Sequence, residues 1–353
     1  MARSYFTVAT FNLRNLVNSG VTYYQTNRYS EAAFARKIAW LAEQLYRMDA
    51  DFVGCQEVFH AEAFQALADA YEAIVAERDG TGAAERKRYS EVWHLPNAQG
   101  SAEDPSPGVG FLSRSPILEK RSRQDLTDDP IEVADIGGLD YRLTQLSRPQ
   151  QFARVALAEG HEGWIANAHL KSKRPLYAAG SEAEVEANAE FLERAMGSLR
   201  SLVLRAGEAL ALRREVIGLM EGTTTPLIVV GDLNDDIGAV TTEMVRGEAP
   251  FRGLPIDVKA LFWDVEMHSA ARIQLRRSEG VEFFTNIYNG HYSTIDHILV
   301  SQEFFYRNTR AIGDVAFVRC LNDHLTDSSL TGAPGLGAAS DHGQITARLW
   351  IDT

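Results

Sequence analysis

Apolar and polar positions along the chain follow two periods. Alternating or short continuous apolar runs mark TVATFNL, FVGCQ, GVGFLS, ARVALA, WIANAHL, LIVVGDL, TIDHILV, GDVAFV and QITARLW as strands. Between Ser30 and Met48, residues Phe34, Ile38, Leu41, Leu45 and Met48 recur at the four-three spacing of one helical face, which predicts a helix ahead of FVGCQ. A longer helical stretch is expected from about 181 to 222, opened by Ser181 and Glu184 at capping-box spacing. Two segments read as loops: GSAEDPSPG at 100–108, and the Gly- and Ser-containing stretch from about Leu321 to Ser340. The second ends beside Asp341 and His342, so it is either a flap over whatever they do or a plain surface loop.

Strands and helices alternate early, whereas late in the chain strand follows strand. That order predicts an α+β fold: a mixed sheet sandwich flanked by helices. With 353 residues, 45% of them apolar and 24% charged, the composition is globular and one domain covering 1–353 is expected, with the helical stretch near 181–222 as an insertion. No run approaches the roughly 20 apolar residues of a membrane-spanning helix. The opening residues MARSYFTVAT lack a secretory pattern, so a cytoplasmic protein is expected. Two cysteines, Cys55 and Cys320, exclude a disulfide framework and a Cys-rich zinc site. The formal charge of -13 opposes non-specific attraction to nucleic acid or anionic membrane. The basic runs at 85–88, 120–123 and 171–174 read first as solvated faces.

Chemistry enters where strand-like runs end on polar groups that a core would not choose: Asn12, Glu57, His169, Asp232 with Asn234, Asp296 with His297, and Asp341 with His342. One such residue is an ordinary turn or cap. Several carboxylates at the ends of apolar strands instead need a compensating charge, and a hard divalent cation is the usual one. Carboxylate and amide oxygens suit Mg²⁺ or Mn²⁺ better than zinc, and one ion is expected.

In order along the chain, TFN, QE, GVGFLSRSPI, HLKS, GDLND, STIDHILVS and SDH make the sequence resemble the endonuclease/exonuclease/phosphatase family, over nearly its whole length. The resemblance implies a four-layer α/β/β/α sandwich of two mixed, mainly antiparallel sheets, with the site at one end. It implies that Glu57 is the principal metal ligand, with Asn12 and Asp341 contributing. Asp232 would orient or deprotonate the attacking water and Asn234 would hydrogen-bond the phosphate. His342 would pair with Asp296, and His169 would bond a phosphate oxygen or the leaving group. Asp232 and His342 both stand as the general base.

Further out, Lys171, two residues past His169, is either a second phosphate contact or a solvated lysine. Arg114 in LSRSPI either reaches substrate or lies on the surface. His297, on the opposite strand face from Asp296, reads as packing, and Asp235 and Asp236 as turn formers. The leading function is a metal-dependent phosphodiesterase of nuclease type whose partner is a phosphate-ester substrate, with nucleic acid or a nucleotide-like diester as candidates. A phosphatase or phospholipase-like hydrolase of a small phosphorylated metabolite or lipid head group is the alternative. The lipid version ranks lower because no basic amphipathic helix or exposed aromatic hairpin is evident. A catalytically silent scaffold ranks last. No protein partner is implied.

Overall fold

A computed structural model describes residues 2–353 except 137, 178–184, 186–187, 189, 278–282 and 332–337; Ser181 and Glu184 of the expected capping box lie outside the described residues. Each of the nine runs expected to form strands lies wholly or largely within one. They belong to two six-stranded sheets. Across the first sheet the order is Gly313–Leu321, Gln344–Asp352, Arg3–Leu16, Phe52–Val58, Gly108–Ser113 and Glu91–Leu95. Across the second it is His268–Ser269, Asp296–Val300, Leu227–Asp232, His161–His169, Gln145–Ala158 and Ile117–Asp125.

The inner faces meet in one apolar layer in which Val8, Phe52 and Phe111 of the first sheet pack with Ile165, Ile228 and Ile298 of the second. On the outer face of the first sheet lie helices Glu31–Met48 and Ala61–Asp79, through Leu41, Leu45, Phe64 and Leu67. Helix Phe191–Met220 covers the second sheet through Ala209, Leu212 and Val216. This is the expected α/β/β/α sandwich. The long helix is one of its outer layers over its second half, whereas Phe191, Leu192, Leu199 and Leu202 in its first half are exposed.

Ser30 caps the first helix, its hydroxyl accepting from the Ala33 amide. At the centre the sheets approach closely: a Cβ on Gly54 would collide with the Val230 side chain. Beside it Asn167 donates to Cys55 O and Gly110 O and accepts from Gln56, so the polar groups crossing the sandwich are satisfied.

One feature of the pairing places the chemistry. Each sheet contains one parallel pair, Arg3–Leu16 with Phe52–Val58 and His161–His169 with Leu227–Asp232, amid antiparallel neighbours. Parallel strands bring their C-terminal ends to the same edge. Those ends are Asn12 and Glu57 in one sheet, His169 and Asp232 in the other.

Candidate active site

Register does most of the assembly. His169 lies directly beside Asp232, and Asp232 directly beside Asp296, so three strand ends present three polar side chains in a row. From the facing sheet, Asn12 Nδ2 donates to Asp232 Oδ2 at 3.1 Å and reaches Glu57 Oε1 at 3.5 Å, bridging the two sheets. His342 closes the ring: its Nδ1 donates to Asp296 Oδ2 at 2.9 Å, and its Nε2 stands 3.9 Å from Asp232 Oδ2. His169 Nε2 is 3.4 Å from the same oxygen. Asn12, Glu57, His169, Asp232, Asp296 and His342 therefore meet at one rim.

Local backbone geometry holds them there. Glu57 sits at a bulge with φ 60, and Arg14, Asn15 and Asn234 also have positive φ. Left-handed backbone at a non-glycine residue is strained, and such strain concentrates at functional sites. The Asn15 amide donates to Glu57 Oε2 at 2.8 Å, fixing its carboxylate. Ser340 Oγ donates to Asn12 O at 2.7 Å and accepts from the His342 amide at 3.0 Å, locking the SDH turn to the first strand.

Burial sets the charges. Asp232 is pushed up to about 7 by desolvation and by the Asp296 carboxylate, against His342 and the donors Asn234 N and Asn12. Burial alone would lower His342; the carboxylates of Asp296, Asp232 and Asp341 outweigh it and hold the imidazole well above its ordinary value. His169 is pushed well below the usual range by burial, by Arg148 and by the charged His342. One rim thus holds a cationic and a neutral histidine on either side of one carboxylate. Environments that drive titratable groups apart in this way mark acid and base roles.

The donor set fits a hard cation. Donor atoms of Asp232, Asp296 and His342 lie within 4.8 Å of one another and could hold a metal ion, and Asp296 Oδ1 is buried with no hydrogen-bond partner among the described residues. The Glu57 and Asn12 oxygens stand on the facing sheet. His342 itself is a poor ligand while protonated and bound to Asp296, so the oxygens are the better donors.

The remaining expected residues separate. Asn234 lines the rim groove; its amide nitrogen donates to Leu170 O at 2.9 Å and its backbone N–H to Asp232 Oδ1 at 2.9 Å. Asp341 is half exposed, and its carboxylate lies 3.6 Å from Arg14. Lys171 turns its ammonium onto the oxygens of Ser172 and Arg174, with burial and Arg148 lowering it to about 8; in this position it bonds its own loop rather than extending the strand face of His169.

Arg114 is a correction. Strand Gly108–Ser113 runs antiparallel to Phe52–Val58, so Ser113 pairs with Phe52 and Arg114 emerges at the edge opposite Glu57. There it binds Asp49, Asp51, the Tyr71 hydroxyl and Lys87 O. Arg114→Ala is expected to leave hydrolysis unchanged and lower unfolding stability by about 1–3 kcal/mol, since charged hydrogen bonds are lost from a nearly buried guanidinium. Denaturant titration with parallel rate measurements checks both halves.

Other expectations are refined. His297 packs, its Nε2 donating to Asp235 O at 2.8 Å. Asp235 does more than turn: it binds Lys173 at 2.9 Å, Arg205 at 3.3 Å and the Thr241 hydroxyl at 2.8 Å. Residues 323–331 of the late loop are tied down, with Leu330 O accepting from the Trp40 indole and His324 Nε2 donating to His342 O.

Two features beside the rim went unread. Lys37, fully buried, is lowered to about 7 by burial and by Arg14, against Glu57 and Asp341. It sits three residues after Phe34 and four before Leu41, an ammonium on the apolar face of its helix, which was the available signal. The second is an aromatic hairpin, contrary to expectation: Asn286–Tyr288 pairs with His291–Ser293, with Tyr288 69% and Tyr292 61% exposed. Its Asn289-Gly290 turn, with φ 48 and 76, is the two-residue type whose sequence signal is Asn-Gly.

The Endonuclease/Exonuclease/phosphatase family model matches residues 9–342, and the chain belongs to this family of phosphoesterase hydrolases. Among solved structures, the mannosyl-6-phosphatase Bt3783 of Bacteroides thetaiotaomicron VPI-5482 is similar at 16% identity and a TM-score of 0.53, over 98% of this chain and 99% of that one. The human Nocturnin catalytic domain with bound sulfate matches at 13% and 0.53, over 98% and 97%. ANGEL2, a 2',3'-cyclic phosphatase, matches at 13% and 0.51, over 99% and 95%. At these identities the likeness is one of fold. No curated protein matches the sequence. No helix among the described residues is long and apolar enough to cross a membrane.

Proposed function

We propose that this chain is a divalent-metal-dependent phosphodiesterase, acting on nucleic acid or a nucleotide-like diester with Mg²⁺ or Mn²⁺ as a single ion. The observation that carries the reading is the pair of histidines flanking Asp232, one cationic and one neutral, directly across from Asn12 and Glu57. Glu57 and Asn12, with Asp341 at the margin, would hold the cation, which when bound supplies charge neutralisation and polarisation of a phosphoryl oxygen.

The protein's own groups then divide the work. Asp232, raised to about 7, orients a water and accepts its proton. His342, cationic and fixed by Asp296, offers Nε2–H to the charge that grows on phosphorus-bound oxygen. His169, kept neutral, retains one ring N–H for a phosphate oxygen or the leaving group, and Asn234 lines the same groove. Cytoplasmic residence belongs to this reading too.

A phosphomonoesterase is the second reading, favoured by the -13 charge, which opposes long polyanions. The test is a rate screen with Mg²⁺ or Mn²⁺ on bis-p-nitrophenyl phosphate, plasmid DNA, single-stranded RNA and a phosphomonoester. Diester cleavage abolished by EDTA, and cut at least about a hundredfold by Glu57→Ala, is expected. Turnover of the monoester alone would replace the diesterase reading with the second one. Undiminished activity in EDTA would remove the metal from it.

A further inference from the structure

We propose that the groove leading outward from His342 and Asn234, between the Asn286–Ser293 hairpin and the start of helix Phe191–Met220, binds the part of the substrate beyond the reacting phosphate. It takes a planar ring against Tyr288 and Tyr292 and a further phosphate against Arg174 and Arg194, as one more nucleotide of an unpaired strand would present. This rests on the phosphoester reading of the rim.

Size is the first argument. The groove measures about 1040 Å³, at the top of the roughly 300–1,000 Å³ that small-ligand sites occupy, which is more than a lone phosphate ester requires. Its two walls differ in chemistry. Lys173, Arg174 and Arg194 stand on one side, Tyr288, His291 and Tyr292 on the other. In a chain of net charge -13, Arg174 and Arg194 outnumber Asp236, the one acidic side chain among the described lining residues, while Lys173 is paired with Asp235. A cationic wall facing aromatic rings is the pattern that holds unpaired bases, because every base has a π-face and every linkage a charge. A duplex keeps its bases stacked on one another and leaves such rings unused.

Coupling to the catalytic residues is the second. The base of the hairpin is bonded into the rim: Gly343 N donates to Thr285 O at 2.7 Å, Asp296 N to the Thr285 hydroxyl at 3.2 Å, and Asn286 Nδ2 to Asp341 O at 3.4 Å. The segment that positions Asp296 and His342 thus also positions the rings. Tyr292 is braced edge-on by Phe284 at 4.7 Å while remaining largely exposed, so its ring is held in place with a face open to a ligand.

The test compares kcat/KM for a thymidine tetranucleotide and for the same sugar-phosphate tetramer without bases, in wild type and in Tyr288→Ala/Tyr292→Ala, with bis-p-nitrophenyl phosphate as reference. Wild type should prefer the tetranucleotide by about 5- to 150-fold, the range that stacking of one base supports. The double variant should bring the ratio near one, while Tyr288→Trp/Tyr292→Phe should keep it; this rescue separates stacking from damage to the hairpin. Arg194→Gln should raise KM for both tetramers. Equal rates on both tetramers, with the reference ester still hydrolysed, overturn the subsite and leave the phosphoester reading standing. No hydrolysis of any ester overturns that reading and the subsite with it. Loss of binding to phosphatidylcholine–phosphatidylserine vesicles in the double variant, with the tetramer ratio unchanged, assigns the hairpin to a lipid surface and overturns the proposal.

Discussion

Replacing His342 with alanine is expected to lower kcat about a thousandfold on whichever phosphoester the protein hydrolyses. The imidazole is buried, hydrogen-bonded to Asp296 at 2.9 Å and surrounded by three carboxylates that keep it cationic. A preorganised donor aimed at developing charge contributes roughly 10²–10³ in rate, and proton transfer adds a comparable factor. Alanine would also leave Asp296 buried opposite Asp232 without its counter-charge, so a fall in stability of about 3–5 kcal/mol should accompany the lost rate. His342→Gln separates the two effects, since an amide can still donate to Asp296: stability should recover partly and kcat should not. Asp296→Asn should act through the same pair, moving the alkaline fall of the rate profile to lower pH because His342 loses the first of the charges that raise it. A well-folded His342→Ala enzyme retaining a tenth of the wild-type rate would remove the residue from the mechanism.

How much of this the sequence disclosed depends on which physical property each residue expressed locally. Asn12, Glu57, His169, Asp232 and Asp296 interrupt or close apolar runs, and a polar group at the end of a buried strand is visible without coordinates. Their convergence followed from one parallel pair per sheet, which the β–helix–strand order at the start of the chain already favoured. Arg114 had the same kind of signal and came out at the other edge. A strand's polar end shows that it leaves the core but not at which edge, and the antiparallel pairing of Gly108–Ser113 decided that.

Helix Ala61–Asp79 went unread because alanines dilute its apolar face of Phe64, Leu67, Tyr71 and Val75. Edge strand Ile117–Asp125 is largely charged and solvated, with no alternation to betray it. The Tyr288–Tyr292 hairpin was within reach through Asn289-Gly290, whereas its attachment to Asp341 and Gly343 is long-range and has no local signature.

Asp232→Asn is the substitution in which activity and stability should part. In the folded protein burial and Asp296 raise this carboxyl to about 7, from 3.8 in an exposed chain. A raised folded value means that the native state holds a proton the unfolded chain has released, so its stabilising contribution is complete below about 3.8 and disappears as pH rises through 7. Between pH 5 and 8, in EDTA, wild type should therefore lose about 2 kcal/mol relative to Asp232→Asn, whose side chain does not titrate. The amide costs something at every pH, because the Asn234 N–H at 2.9 Å and the Asn12 amide at 3.1 Å both point donors at this side chain. It is the divergence of the two stability curves with pH, rather than their offset, that reports the buried charge. Added Mg²⁺ should flatten the wild-type curve alone, since a cation at the rim keeps the carboxylate ionised in the folded state. The variant should meanwhile lose at least about a thousandfold in kcat, an amide being unable to take a proton from water. Denaturant midpoints at pH 5, 6.5 and 8 provide the comparison, and parallel curves for the two proteins would mean that burial and Asp296 do not raise Asp232 in the metal-free protein.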